Sequence, residues 1–365
     1  MTGSVTDVAG VRVGQVQRTD DGWLTGVTVV LPPPGTVGGV DVRGGGPGTH
    51  ETDALDPRTL VATVDAVVLT GGSAFGLVTA HGVQRWCAAH GRGFRVGAGE
   101  HEVVPIVPAA AVFDLGRGGR FDAHPDEAMG HAAAVAAAAQ PEHGPVARGT
   151  VGAGTGAAVD GQRAKGGVGT ASVRVRLPAA EGAGPDEGAG TEVVVGAIAV
   201  VNAAGAPLPL LLPGADGPAG TGAEPPEGSG ARDAPRALAA PGAGGGAATD
   251  PGRAPLSTTI ACVVTDALLD PAETSRTATA AHGGLARALD PVHTLVDGDT
   301  VFALATGAVP LPADRPGRVG ALVALQAAAA HALEAAVRDG VRSATAVRTA
   351  AVDLPVWAPP AGHRV

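Results

Sequence analysis

A chain of mixed α and β structure is predicted from three observations. Short apolar runs rich in β-branched residues recur along the sequence, alanine-rich stretches of helical length lie between them, and 45% of the residues are hydrophobic against 16% charged. That balance supplies a large buried core and excludes disorder throughout. At 365 residues the chain exceeds the roughly 250 to 300 at which a single core usually stops growing, so two domains, or one domain plus sequence outside its core, are expected.

The strands are read from VTVVL at 27–31, VDAVVL at 64–69, VVVGAIAVV at 193–201, TIACVV at 259–264 and VFALAT at 301–306. SVRVRL at 172–177 alternates Val173, Val175 and Leu177 with Ser172, Arg174 and Arg176, the period of a strand with one wet face. Helices are written mainly in alanine: AFGLVTAHGVQRWCAAH at 74–90, EAMGHAAAVAAAAQ at 127–140 and ALVALQAAAAHALEAAVRD at 321–339. The last places Leu322, Leu325, Ala329, Leu333 and Val337 along one stripe. A further helix opens with Asp270 as N-cap, Pro271 at the first helical position and Glu273 three residues after the cap.

One stretch belongs to neither class. From Pro213 to Pro255 there are 43 residues, of which 11 are Gly, 8 are Pro and 12 are Ala, with one Leu and no Val, Ile or Phe. Such a segment cannot bury enough apolar surface to offset its ordering entropy, so a flexible linker over 213–255 is predicted. Long structureless connections inside compact domains tend to be functional or processed; an inserted surface loop without a role is the alternative. This one ends three residues before Thr258.

The formal net charge of -10 argues against a nucleic-acid or anionic-membrane partner, which needs a basic surface, and the absence of Tyr leaves few rings for stacking bases. Cys87 and Cys262 provide neither a disulfide framework nor a metal spacing, which fits a reducing compartment. The opening MTGSVTDVAGVRVG has no basic region followed by an apolar core, and no apolar run reaches the length of a membrane span, so a cytoplasmic protein is expected. No metal or cofactor is expected either: the eleven histidines do not cluster with carboxylates at ligand spacing, and His50, beside Glu51 and Asp53, reads as a turn residue.

The chemistry-bearing candidates begin with Ser257, Thr258 and Thr259, three hydroxyls where a strand starts. A threonine hydroxyl is a poor nucleophile without an adjacent base. Cleavage before Thr258 would supply one from the same residue, because a new α-amino group has a pKa of about 8. The same hydroxyl could attack the Ser257 carbonyl in the uncut chain and form an ester that water opens; an ordinary strand-entry residue is the alternative.

In VDGDTVFALATG, 296–307, Asp297 and Asp299 fall on one side of extended backbone, suited to holding a protonated amine; a hairpin turn is the other reading. TVGAGTG at 150–156 and KGGVGTAS at 165–172, with Lys165, match no phosphate-loop pattern, and close backbone approach to a substrate is expected of their glycines. Ser73 in LTGGSAFGL lacks the last glycine of a nucleophile elbow and reads as a turn residue at a helix start. Asn202 closes a strand as a cap or as an oxyanion donor.

Taken in order, TDVAGVRVG, TGVTVVLP, DVRGGGPGTHETD, LTGGSAFGL, VGAGTG, KGGVGTAS, VVN, STTIACVVTD and VDGDTVFALATG resemble the family of L-aminopeptidase/D-esterases, β-aminopeptidases and nylon-oligomer hydrolases. The resemblance runs from about residue 5 to about residue 350 and omits only the linker. It implies a single-domain N-terminal-nucleophile hydrolase, a four-layer αββα sandwich made as a precursor that cuts itself into a large subunit, 1–257, and a small subunit, 258–365.

Carried over by motif, Thr258 is the nucleophile, Asp297 and Asp299 are the acidic pair, Lys165 is the KGG lysine and Asn202 the VVN asparagine. Ser257 stands before the cut where similar proteins often have Asn or Gly, which implies slower or incomplete self-cleavage. A Thr nucleophile with two Asp is most similar to the 6-aminohexanoate-oligomer endohydrolases. The implied substrate is a small amide or peptide, processed through an acyl-enzyme without cofactor, and the implied assembly is a homo-oligomer of cleaved αβ heterodimers, a tetramer of them. Two rivals are acyl transfer of the ornithine acetyltransferase kind and an uncleaved binding protein.

Overall fold

In the computed structural model, residues 3–177, 192–208 and 256–359 are described; the linker predicted over 213–255 lies outside them. The strands are β1 (Arg12–Arg18), β2 (Thr25–Leu31), β3 (Val37–Val42), β4 (Thr49–His50), β5 (Val67–Thr70), β6 (Ala109–Ala111), β7 (Gly167–Arg176), β8 (Glu192–Asn202), β9 (Thr258–Ala267) and β10 (Thr300–Val309). The helices are α1 (Ser73–Gly76), α2 (Thr79–Ala89), α3 (Glu127–Ala139), α4 (Pro271–Ala288) and α5 (Arg315–Arg342). Smaller pairings complete the chain.

Two five-stranded sheets form, ordered β1-β2-β5-β6-β4 and β7-β8-β9-β10-β3. Each contains one parallel pair, β5 with β6 and β9 with β10, and in each case helices make the crossover. Period-two alternation then sorts the side chains. Leu69, Ala110, Ile198, Val200, Ile260, Cys262 and Phe302 meet between the sheets. Val27, Val29 and Val68 turn outward onto α2 and α3, while Ala261, Val263 and Val301 turn outward onto α4 and α5. The result is the expected αββα sandwich, whose two outer cores are largely Ala, Val and Leu.

Local signals explain most boundaries. The capping box at α4 is formed as read: Glu273 N–H donates to Asp270 Oδ1 at 2.8 Å and Asp270 N–H to Glu273 Oε2 at 3.0 Å. The stripe predicted at 321–339 belongs to a longer helix, because Asp314 caps it by accepting Gly317 N–H at 2.7 Å. The helix predicted at 74–90 is split into α1 and α2 after a turn in which Gly72 and Ser73 both take left-handed φ values, 80° and 52°. α5 is also long and apolar enough to cross a membrane by length and composition, which corrects the expectation that no segment is. Its stripe of Leu325, Ala329, Leu333 and Val337 is packed in the core on the second sheet.

The glycine-rich stretches also depart from expectation. Their glycines approach the protein's own backbone: a Cβ on Gly169 would lie 2.1 Å from the Ala336 carbonyl of α5, and one on Gly154 would lie 2.5 Å from Val168 N. They permit helix and loop to lie directly on β7, which a methyl group would prevent.

Candidate active site

Thr258 opens β9, and strand alternation turns its side chain, with Ile260 and Cys262, into the space between the sheets. It is 5% exposed. Its hydroxyl donates to the carbonyl oxygen of Ser257 at 2.5 Å, and Gly298 N–H donates to the same oxygen at 3.0 Å. Ser257 N–H donates to the Val296 carbonyl at 3.1 Å, so Ser257 is held on both sides by a one-residue parallel bridge to Asp297. A Cβ on Gly298 would stand 2.8 Å from Thr258 Oγ1, which is why this position is a glycine.

Asp297 and Asp299 are each 2% exposed. Both lie in the loop that precedes β10, not in the extended strand that the sequence period suggested; the loop turns at 294–297, where Asp297 N–H donates to Thr294 O at 3.2 Å. The turn and the acidic pair thus coexist. Asp297 Oδ2 accepts Thr294 N–H at 2.7 Å, and Asp299 Oδ1 accepts Thr259 N–H at 2.7 Å. Asp299 Oδ2 accepts the backbone N–H of His293 at 3.1 Å and lies 2.8 Å from its Nδ1.

The Asp297 main chain therefore stands across from Ser257, and the Asp299 carboxylate holds the N–H of the residue after Thr258. Burial, and after it the neighbouring Asp299 charge, push the Asp297 carboxyl above its ordinary range. The RGGG run at 43–46 roofs this loop: Arg43 and Gly46 N–H groups donate to the Asp299 and Asp297 carbonyls at 2.9 and 2.8 Å.

Asn202 stands directly opposite Thr258 in the antiparallel register of β8 with β9 and is fully buried. Arg117 Nη1 and Ala158 N–H donate to its Oδ1 at 2.6 and 3.0 Å, which fixes the amide so that Nδ2 is the donor, one of its protons going to Phe113 O at 3.4 Å. Lys165, the one lysine in the chain, is fully buried and donates to the carbonyls of Gly154, Ala157 and Gly166 at 2.7, 2.8 and 2.8 Å. Its protons are held by main-chain oxygens. Burial, with Arg117 adding to it and Asp114 opposing, lowers its pKa to about 7. Asp114 accepts Gly72 N–H at 2.7 Å, and burial raises its pKa.

Sequence reasoning singled out Thr258, Asp297, Asp299, Asn202 and Lys165, and the fold gathers the first four around one peptide bond, with Lys165 bound one residue away from Ala158, the donor to Asn202. It missed Arg117, Asp114 and His293. His293 was within reach, six residues before Asp299; Arg117, between Gly116 and Gly118, carries no local signal. His50 lies on β4, edge-on to His81 at 5.3 Å, not in a turn. Among the described residues no three His, Cys, Asp or Glu side chains are grouped to hold a metal ion.

Two sheets between two helix layers, with a hydroxyl residue opening a central strand beneath buried acids, define the class of N-terminal-nucleophile-type folds. Solved structures share it. The L-aminopeptidase D-Ala-esterase/amidase from Ochrobactrum anthropi, described as a variant of that hydrolase fold, superposes with a TM-score of 0.66 at 21% identity over 98% of this chain and 93% of its own. A β-aminopeptidase from a Burkholderia species gives 0.61 at 23% identity over 98% and 91%.

Residues 3–353 match peptidase family S58, and the chain belongs to that family. An uncharacterised aminopeptidase of Mycobacterium tuberculosis is 46% identical, the match covering 94% of this chain and 95% of that one. Likeness to the 6-aminohexanoate-oligomer endohydrolase of Paenarthrobacter ureafaciens, 35% identical, is confined to 81 residues, 22% of each chain. The protein is a hydrolase of the aminopeptidase and amidase kind, acting on peptide or amide bonds.

Proposed function

We propose that the chain is a self-cleaving amide hydrolase whose nucleophile is Thr258, cut after Ser257 into a large subunit, 1–257, and a small subunit, 258–365. The observation that carries this reading is the doubly held Ser257 carbonyl, which accepts both the Thr258 hydroxyl at 2.5 Å and Gly298 N–H at 3.0 Å. An N–H already on that oxygen is placed to stabilise the negative charge that develops when Oγ1 attacks the carbonyl carbon. In that step the Oγ1–C bond forms, the C–N bond to Thr258 breaks, and the hydroxyl proton ends on the departing nitrogen. Water then opens the ester, its hydroxyl going to Ser257 and its proton to Oγ1.

The freed amine serves the second reaction. It takes the hydroxyl proton as Oγ1 attacks a substrate carbonyl, Asn202 Nδ2 and nearby N–H groups hold the oxyanion, the leaving amine collects the proton, and water releases the acyl group. Asp297 and Asp299 orient the amine, and Lys165 contributes positive charge that favours its neutral form. Substrates are small peptides or, as the endohydrolase relatives' name suggests, ω-amino acid oligomers. The cut pairs assemble as a homo-oligomer, a tetramer of heterodimers.

A denaturing gel of the purified protein tests this. Two bands are expected, the smaller beginning at Thr258 by N-terminal sequencing and the pair active on aminoacyl amides. Active material consisting only of uncut chain would overturn the reading.

A further inference from the structure

Ser257 holds a place that only one kind of chain can refill. Its N–H and C=O are taken at once by Val296 O, at 3.1 Å, and Gly298 N, at 3.0 Å, while Ser257 itself is 2% exposed and Leu256 before it is 41% exposed. The strip 296–298 thus binds one residue's two main-chain groups and lets the chain run outward to the surface. Its position is set by the RGGG roof and by β10, so it does not depend on Ser257 for its shape.

On the reading that the Ser257–Thr258 bond is cut, Ser257 ends in a carboxylate beside the buried carboxyls of Asp297 and Asp299. Like charges in one buried loop oppose each other, and two hydrogen bonds are what the strip offers against them. Departure of the tail leaves the Val296 carbonyl and the Gly298 N–H without partners beside Thr258. Buried main-chain groups in that state are costly until something pairs with them.

We propose that Val296–Gly298 is the acyl-side binding strip of the mature enzyme, and that it takes an extended, α-linked peptide in the place of Ser257. The substrate's acyl residue donates its N–H to Val296 O and accepts Gly298 N–H at the carbonyl under attack, adding itself to the sheet as a strand. Leu256 marks the outward path, so the substrate chain continues beyond the acyl residue and cleavage is internal as well as terminal. A 6-aminohexanoyl unit cannot meet both partners. Its nitrogen is five methylenes from its carbonyl, whereas the strip is built for the single carbon between them in an α-residue.

The test compares four p-nitroanilides on the cut enzyme: N-acetyl-L-alanyl, its ester isostere O-acetyl-L-lactyl, L-alanyl and 6-aminohexanoyl. The lactyl compound replaces only the N–H by oxygen, so its kcat/KM is expected to fall by about tenfold or more. The 6-aminohexanoyl compound is expected at least about tenfold below L-alanyl. Equal rates for the acetylated pair, failure to turn over N-acetyl-L-alanyl while L-alanyl is used, or a 6-aminohexanoyl rate matching L-alanyl would each overturn the strip. If Thr258 begins the small fragment, those results remove the strip and leave the nucleophile standing. An uncut chain, or no turnover of any compound, removes both.

Discussion

On one side of the Ser257–Thr258 peptide, His293, Asp297 and Asp299 come from seven consecutive residues and are tied together largely by their own loop's N–H groups. On the other side, Asn202, Arg117 and Lys165 come from three distant segments, and Arg117 reaches Asn202 across 85 positions of sequence. The acid flank is local and exists wherever that loop closes. The amide flank exists only when both sheets are packed, because Asn202 is fixed by Arg117 and Ala158, partners far away in the chain. A site made this way has its charges encoded in a short word and its buried amide encoded in the fold.

Substitutions on each flank separate the two. Thr258→Ala removes the group they share and is expected to abolish cleavage and to lower turnover by ~10³-fold or more, giving a single uncut band on a denaturing gel. Asp299→Asn keeps the shape of the acid flank but weakens its hold on Thr259 N–H and His293; a loss of ~10²-fold or more in kcat is expected, with circular dichroism unchanged. Arg117→Met releases the Asn202 amide without removing it. We expect a smaller loss, about 10-fold to 10²-fold, falling on kcat and leaving KM nearly constant, because a misaligned donor costs less than an absent one.

The weakest effect concerns stability. Lys165 has a pKa of about 7 in the folded chain against an ordinary 10.5, so between those values the unfolded chain binds more protons and stability rises with pH. Below about 7 the full cost of burying the charge is present. Urea midpoints from about pH 6.5 to 9.5 should therefore climb with a contribution approaching ~1.4 kcal/mol per pH unit, and Lys165→Met should flatten that slope while removing the three hydrogen bonds to the Gly154, Ala157 and Gly166 carbonyls, the first two of which keep main-chain N–H partners. An unchanged slope would place the titration elsewhere.

This asymmetry also explains what could be read from the sequence. The strands, the Asp270–Glu273 cap and the acidic pair were legible because each is specified within a few residues. Thr258 and Asn202 were legible as motif positions, but that they face each other follows from an antiparallel register closed by a strand 56 residues away. Arg117 was invisible for the same reason: an arginine between glycines looks like surface until Asn202 and Gly156 are brought against it. The glycines of 150–156 and 165–172 misled in the opposite direction. Their spacing signals close approach but not to what, and the answer, the protein's own strands, loops and α5, is a tertiary fact.

Lys165 has one consequence for the bench. Because the chain's one ε-amine is sealed in the interior, amine-selective reagents applied to the native protein have chain starts as their targets, and the proposed cut before Thr258 would add one. Counting dye per polypeptide over time would then read out maturation directly, with no engineered tag and no gel.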